Sequence, residues 1–330
     1  MSDMPLNLAE LREISELVQS SPHVWRTPTI RDVQSCFGDQ ISNQQCSLSL
    51  KCENMQFTGS FKIRGVVNQF NHWGAKLDQF KGVSTYSGGN YGKSFATVVN
   101  SLKKQSVVMI PTTAPKDRVG IIEGLGSRVE TYDDMHVLEQ KAMEYGQNGW
   151  LYLNPFDDLH LIKAYSSVAF EILESAPDVV IVPCGGGGLI SGISATLRLL
   201  GHSTTKIYGV NAMNANAMYR SFEAGRPMRV ERPRSVAAGL MAPTAGQHTY
   251  RCCAKFVDEI LLVSDEEIIA ANRALRRLGL LVEPSGAAGL AALLSGKVGV
   301  SLKNKSIVVV LSGGNIALKD LQELIDDHSS

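Results

Sequence analysis

The sequence predicts an α/β protein built on mainly parallel sheets. Three observations lead there. Short, continuous, β-branched runs recur along the chain, as expected of strands buried on both faces of a parallel sheet. Helical patterns follow those runs. Glycine clusters stand at the ends of three of them, at Gly88-Gly89, Gly185 to Gly188 and Gly313-Gly314.

The elements read in order as follows. Met1 to Ser20 carries an acid-containing helical pattern. Leu48-Ser49-Leu50 is a strand-like run, and Lys62 sits at a helix start after Ser60. Gly82 to Tyr86 is the next strand, followed by a helix over Tyr91 to Leu102. Val107 to Ile110 is a strand; Val179 to Pro183 is another, leading to a helix over Leu189 to Leu200. Ile207 to Val210 and Ile260 to Val263 continue the series. Ser264-Asp265-Glu266-Glu267 is a capping-box pattern, and Ser285 after Pro284 marks a further helix start. Ile307 to Leu311 is the last strand. No fixed-period repeat or low-complexity linker interrupts the alternation.

Composition narrows the function. The 330 residues carry 32 Lys plus Arg and 32 Asp plus Glu, a formal charge of zero, with 44% apolar residues. A disordered chain needs less apolar content and more net charge. Zero charge gives no support to a nucleic-acid or membrane partner. No apolar run approaches a membrane span, and the N-terminal pattern lacks an apolar signal core, so a cytoplasmic protein is expected. Cys36, Cys46, Cys52, Cys184, Cys252 and Cys253 form no C-x-x-C pair and read as reduced thiols.

In open α/β sheets, ligands bind beyond the carboxyl ends of the strands. Cys184-Gly185-Gly186-Gly187-Gly188-Leu189-Ile190 leaves a buried strand and opens a helix there. Its run of backbone N–H groups and the helix N-terminus form an anion cradle. The G-x-G-x-x-G spacing and the acidic ribose partner of a dinucleotide site are missing, so a monophosphate fits better than NAD. Gly89-Asn90-Tyr91-Gly92-Lys93-Ser94 ends like a nucleotide P-loop, but position 87 is Ser where that loop needs Gly. Lys62, between Phe61 and Ile63, has the apolar neighbours that lower an amine's pKa and make it a nucleophile toward aldehydes.

As a set, these residues are specific. Thr58-Gly59-Ser60-Phe61-Lys62-Ile63-Arg64-Gly65 closely resembles the Schiff-base lysine motif of the fold-type II pyridoxal-phosphate (PLP) enzymes, which share a tryptophan synthase β-like fold. Within them the chain resembles the threonine dehydratase and serine racemase branch, from Arg26-Thr27-Pro28 to Ser312-Gly313-Gly314-Asn315. Five motifs recur in the same order: lysine, asparagine loop, glycine loop, glutamate and final serine loop.

The resemblance implies roles. Lys62 carries the cofactor and moves protons at Cα, with Phe61 packed beside the ring. Asn90 hydrogen-bonds the cofactor's 3-oxygen, and backbone N–H groups of Ser87, Gly88, Gly89, Asn90 and Tyr91 hold the substrate carboxylate. Gly185, Gly186, Gly187 and Gly188 hold the phosphate, Gly239 and Glu283 border the ring, and Ser312 meets the pyridine nitrogen. A serine does not protonate that nitrogen as a carboxylate does, so the cofactor is a weaker electron sink and prompt loss of a β-leaving group is favoured. A large domain (1–75 and 153–330), a small mobile domain (76–152), a cleft between them and a homodimer are also implied.

Four departures shape the expected activity. Racemases of this branch carry a second-base serine where this chain has Gly88, which also leaves room near Cα. Tyr91 replaces the usual His. Ala164-Tyr165-Ser166-Ser167, after Lys163, replaces Gly-Gln-Gly-Thr near the cleft, with Lys163 adding a charge if it points inward. Asn211 and Ala217 replace the carboxylates of a divalent-metal site, so no tightly bound Mg²⁺ or Ca²⁺ is expected, while a monovalent cation held by carbonyls stays open. Asp157 and Asp158 read as structural. His23, His72, His136, His160, His202 and His248 show no triad or metal spacing, although His136 lies near a carboxylate-binding position of relatives.

The expected function is a PLP-dependent ammonia-lyase, a dehydratase that removes water from a serine- or threonine-type β-hydroxy-α-amino acid, with 3-hydroxyaspartate and 3-phenylserine as further options. The alternatives are a serine or aspartate racemase and a non-catalytic PLP-binding protein.

Overall fold

The structure is a computed structural model describing residues 5–112, 114 and 116–326. Among them are ten strands: β1 (Thr29–Ile30), β2 (Ser47–Cys52), β3 (Val83–Tyr86), β4 (Ser106–Pro111), β5 (Arg128–Tyr132), β6 (Leu151–Tyr152), β7 (Val179–Pro183), β8 (Lys206–Ala212), β9 (Glu259–Val263) and β10 (Ser306–Leu311). They form a six-stranded sheet, in the order β1-β2-β10-β7-β8-β9, and a four-stranded sheet, β5-β4-β3-β6. All pairings are parallel except β1 with β2. The chain starts the larger sheet, leaves it to build the smaller one, and returns.

Burial explains the strand pattern. All five residues of β7 are buried, as are Ile307 to Leu311 of β10. Neither face meets water, so neither alternates in polarity. Helix Pro284–Leu294, almost wholly apolar, packs across β7 and β10, and helix Asp265–Arg277 covers it. Ser264 and Glu267 form the reciprocal capping box expected from their spacing. The helix expected from Ser285 begins one residue earlier, with Pro284 in its first turn and Glu283 as its N-cap; proline's fixed φ suits that position. The N-cap carboxylate makes no capping bond, and turns instead into the cavity described below.

Sequence pattern did not reveal β1, β5 and β6. β1 and β6 are two residues long, and β5 is a half-exposed edge strand reading Arg-Val-Glu-Thr-Tyr. None of the helices among the described residues is long and apolar enough to cross a membrane. Of the six cysteines, all but Cys36 are buried.

A buried ion cluster lies beneath the start of helix Lys62–Trp73. The fully buried Arg64 guanidinium donates to both oxygens of Glu53, each at 2.8 Å, and to both oxygens of Glu171, at 2.7 and 2.9 Å. Lys51 donates to Glu171 and to the Thr27 carbonyl. Two cations and two anions balance, and the fork geometry of Arg64 matches both carboxylates. Arg64→Met is therefore expected to strand the buried Glu53 carboxylate, leave Glu171 with Lys51 alone, and destabilise the fold by about 3–5 kcal/mol. Arg64→Lys rescues little, because an ammonium lacks the fork. Denaturant unfolding checks this; wild-type stability in Arg64→Met would refute it.

Candidate active site

The strand ends of both sheets converge on a cavity of about 990 Å³. Every residue assigned a site role from sequence lines it: Phe61, Lys62, Ser87 to Tyr91, Gly185 to Gly188, Gly239, Glu283 and Ser312. Lys62 opens its helix, and its approach is pinned to the end of β10. The Phe61 N–H donates to the Ser312 carbonyl at 3.1 Å, and the Gly314 N–H donates to the Gly59 carbonyl at 2.9 Å. Lys62 Nζ donates to the Pro155 carbonyl at 3.2 Å and lies 5.2 Å from the Phe61 ring centre and 5.8 Å from that of Tyr91. Burial among these groups pushes the amine down from 10.5 to about 8. A neutral amine is the form that attacks a carbonyl.

The glycine loop follows β7. Helix Gly188–Leu199 begins without a capping side chain, and its N-cap, Gly187, has a φ of +93°. A Cβ at Gly187 would sit 2.5 Å from Met218 Cε, and one at Gly186 would sit 2.6 Å from Phe156 Cδ2. The loop is thus closely backed, with its helix N-terminus at the cavity. Backbone N–H donors at such an end suit a phosphate group. Lysine and cradle together fit pyridoxal phosphate, which has one aldehyde and one phosphate.

The remaining groups are cross-linked. Asn90 opens helix Asn90–Ser101, and its Nδ2 donates to Glu283 Oε1. Burial raises the Glu283 carboxyl to about 7. The Gly239 N–H donates to Ser285 Oγ at 2.7 Å, holding that loop against helix Pro284–Leu294. Ser312 is buried at the end of β10. Ser87 Oγ accepts from the Gly89 N–H at 3.3 Å, bracing its own loop.

The departures sort differently from expectation. A Cβ at Gly88 would sit 2.8 Å from Ile110 Cγ2 and 3.4 Å from Ala114 Cβ, so the room expected there is filled on that side. Tyr91 is buried on the lysine side, its hydroxyl donating to Gln69 Oε1 at 2.7 Å, and burial raises its pKa well above 10. Lys163 points away from the cavity and pairs with Glu10. Tyr165 packs edge-on against Phe61, with ring centres 4.9 Å apart, while Ser166 donates to the Leu11 carbonyl and Ser167 to that of Ala164. Asn211 donates to the Cys184 carbonyl and accepts from the Tyr219 N–H, bracing the glycine loop. Asp157 accepts from the N–H groups of Gln247, His248 and Thr249, and Asp158 caps helix Leu159–Ala164. His72 and His160 stack on each other, 3.7 Å between ring centres. The His136 side chain lies outside the described residues.

Sequence reasoning missed Pro155, Phe156, Lys93, Arg118 and Asn315, all of which line the cavity. Pro155 acts through its carbonyl, which leaves no mark in a side-chain pattern. Asn315 stood at the end of a quoted motif without a role.

Comparison with known proteins agrees with this geometry. The family described as "Pyridoxal-phosphate dependent enzyme" matches residues 21–313. An L-threonine ammonia-lyase of Thermotoga maritima is 33% identical over 84% of this chain and 69% of its own length. A catabolic L-threonine dehydratase of Staphylococcus aureus is 33% identical, covering 97% of this chain and 93% of its own. Among solved structures, maize serine racemase superposes with a TM-score of 0.84 at 28% identity, covering 98% of this chain and 97% of that one. A family match that takes in the lysine, the cradle and the end of β10, with relatives a third identical nearly end to end, places this chain among the pyridoxal-phosphate dependent enzymes.

Proposed function

We propose that the chain is an ammonia-lyase that removes water from a β-hydroxy-α-amino acid of the serine or threonine type, giving a 2-oxo acid and ammonia. The observation that carries this reading is Lys62: an amine depressed to about 8 in the same cavity as an uncapped helix N-terminus. The names of the T. maritima and S. aureus relatives support the choice of elimination.

Bound pyridoxal phosphate supplies an electron sink for the bond broken at Cα. The chain's own groups do the rest. Gly185 to Gly188 hold the phosphate, Ser312 meets the ring nitrogen, and Asn90 contacts the ring's 3-oxygen. N–H groups at the start of helix Asn90–Ser101 hold the substrate carboxylate. Lys62 takes the proton from Cα, and the β-hydroxyl departs as water with that proton, so no net proton is consumed. The resulting enamine tautomerises and takes up water, which releases ammonia and leaves the 2-oxo acid. Residues 76–152, with the smaller sheet, form the unit that closes over the substrate in this reading, and 1–75 with 153–330 form the larger one. A cytoplasmic homodimer is part of the same proposal.

Racemisation requires a proton donor on the face opposite lysine. Gly88 offers no side chain, and Tyr91 stands beside Lys62 with its hydroxyl donated to Gln69 Oε1. A panel of L- and D-β-hydroxy amino acids, including 3-hydroxyaspartate and 3-phenylserine, tests the proposal. Formation of 2-oxo acid is expected. Inverted substrate carrying solvent deuterium at Cα, without 2-oxo acid, would establish the racemase instead. Cofactor absorbance without turnover on any member would point to a non-catalytic binder.

Gly88→Ser is expected to lower elimination by roughly tenfold, because its Cβ crowds Ile110. Combining it with Ile110→Ala, which removes Cγ2, relieves that contact and is expected to raise inversion relative to elimination. An unchanged ratio of deuterated inverted substrate to 2-oxo acid would refute the missing-base account.

A further inference from the structure

Asn315 closes the last glycine loop, and its amide is held from two sides. Lys93 Nζ donates to Asn315 Oδ1 at 2.8 Å. Asn315 Nδ2 donates to the Thr58 carbonyl and to Asn90 Oδ1, both at 2.8 Å. An ammonium has only donors and a carbonyl only acceptors. Oδ1 of Asn315 must therefore face Lys93, and its Nδ2 must face Thr58. That leaves Asn90 with its oxygen toward Asn315 and its Nδ2 toward Glu283. Space is reserved for the same side chain. Gly59 has a φ of +78°, and a Cβ on it would lie 2.5 Å from Asn315 Oδ1. A bond between the Thr58 and Ser94 hydroxyls, at 2.8 Å, ties helix Asn90–Ser101 to the same loop.

We propose that Asn315 is a positioning residue: oriented by Lys93 and Thr58, it sets which end of the Asn90 amide is offered to the cofactor. This rests on the reading of Asn90 as a cofactor contact. Asn315 itself need not touch the cofactor, because it acts through the Asn90 amide.

Asn315→Asp separates positioning from packing. The carboxylate keeps the Lys93 contact and nearly the same shape, but it donates to neither Thr58 nor Asn90. It drives the Asn90 amide to turn over. Pyridoxal phosphate is titrated into each apo variant, following visible absorbance, and each apo variant is also melted. Asn315→Asp is expected to bind about tenfold more weakly with a shifted absorbance maximum, and to melt within a few degrees of wild type. Lys93→Met, which leaves the Thr58 constraint, is expected to lose roughly threefold, and Lys93→Arg to restore most of it.

The double variant Asn90→Ala with Asn315→Asp is expected to bind no more weakly than Asn90→Ala alone, since both act through one amide. Wild-type affinity and spectrum in Asn315→Asp, with Asn90→Ala impaired, would overturn the proposal while leaving the Asn90 reading intact. Losses that multiply in the double variant would overturn it equally. Wild-type binding by Asn90→Ala would remove the reading on which it rests.

Discussion

Lys62→Ala is expected to abolish the visible absorbance of the loaded protein and to lower β-elimination by more than about 10⁴-fold, since one amine serves as both attachment point and proton carrier. The cavity should survive, because Lys62 donates to one carbonyl and forms no ion pair among the described residues. A second consequence appears without cofactor. The amine titrates near 8 in the folded chain and near 10.5 when unfolded. Between those values the unfolded chain binds more protons, so apo stability rises with pH through that window and falls as pH drops toward 8. Lys62→Met is expected to remove that rise and to be more stable than wild type below pH 8. Chemical unfolding of both apo proteins across pH 8 to 10.5 checks the sign. Parallel curves would show that the amine is not desolvated, and trapping of the cofactor by borohydride on another side chain would remove Lys62 from its role.

Gly187→Ala is expected to weaken pyridoxal phosphate binding by roughly a hundredfold, the scale of one lost charge-assisted hydrogen bond to a phosphate. The new methyl meets Met218 at 2.5 Å, and the φ of +93° is costly for any residue with a Cβ. Met218 Cε is a flexible end that turns aside, but Thr249 Cβ at 3.1 Å gives little, so the loop shifts and its N–H groups shift with it. Backbone strain alone is controlled by Gly201→Ala, at a φ of +87° with nothing within 4 Å of the added atom. That variant is expected to melt lower but to bind cofactor as wild type does. Equal affinity in Gly187→Ala and wild type would mean that the phosphate sits elsewhere.

The strands that carry the site were legible because they are buried on both faces. Val179–Pro183 and Ile307–Leu311 have no polar residue to break the run, and each ends in a glycine loop. Lys62 and the four glycines stood out because residue type and neighbours in a short segment suggest their chemistry, whereas Asn90, Glu283 and Ser312 were picked out by the resemblance of their motifs to the family. The edge strand β5 did not, because half-exposed alternation over five residues resembles a loop.

Local order thus announced the sheets, the glycine loop and the lysine that line the cavity. Partnership was a different matter. Asn90 and Glu283 are 193 positions apart, and Asn90 and Asn315 are 225 apart; no spacing rule reaches that far. That Lys163 turns outward to Glu10, that Tyr91 sits on the lysine side, and that Ile110 fills the space beside Gly88 follow from how the two sheets and their helices meet. Side-chain direction is set by packing against residues distant in the chain, and only the folded arrangement brings those residues within contact.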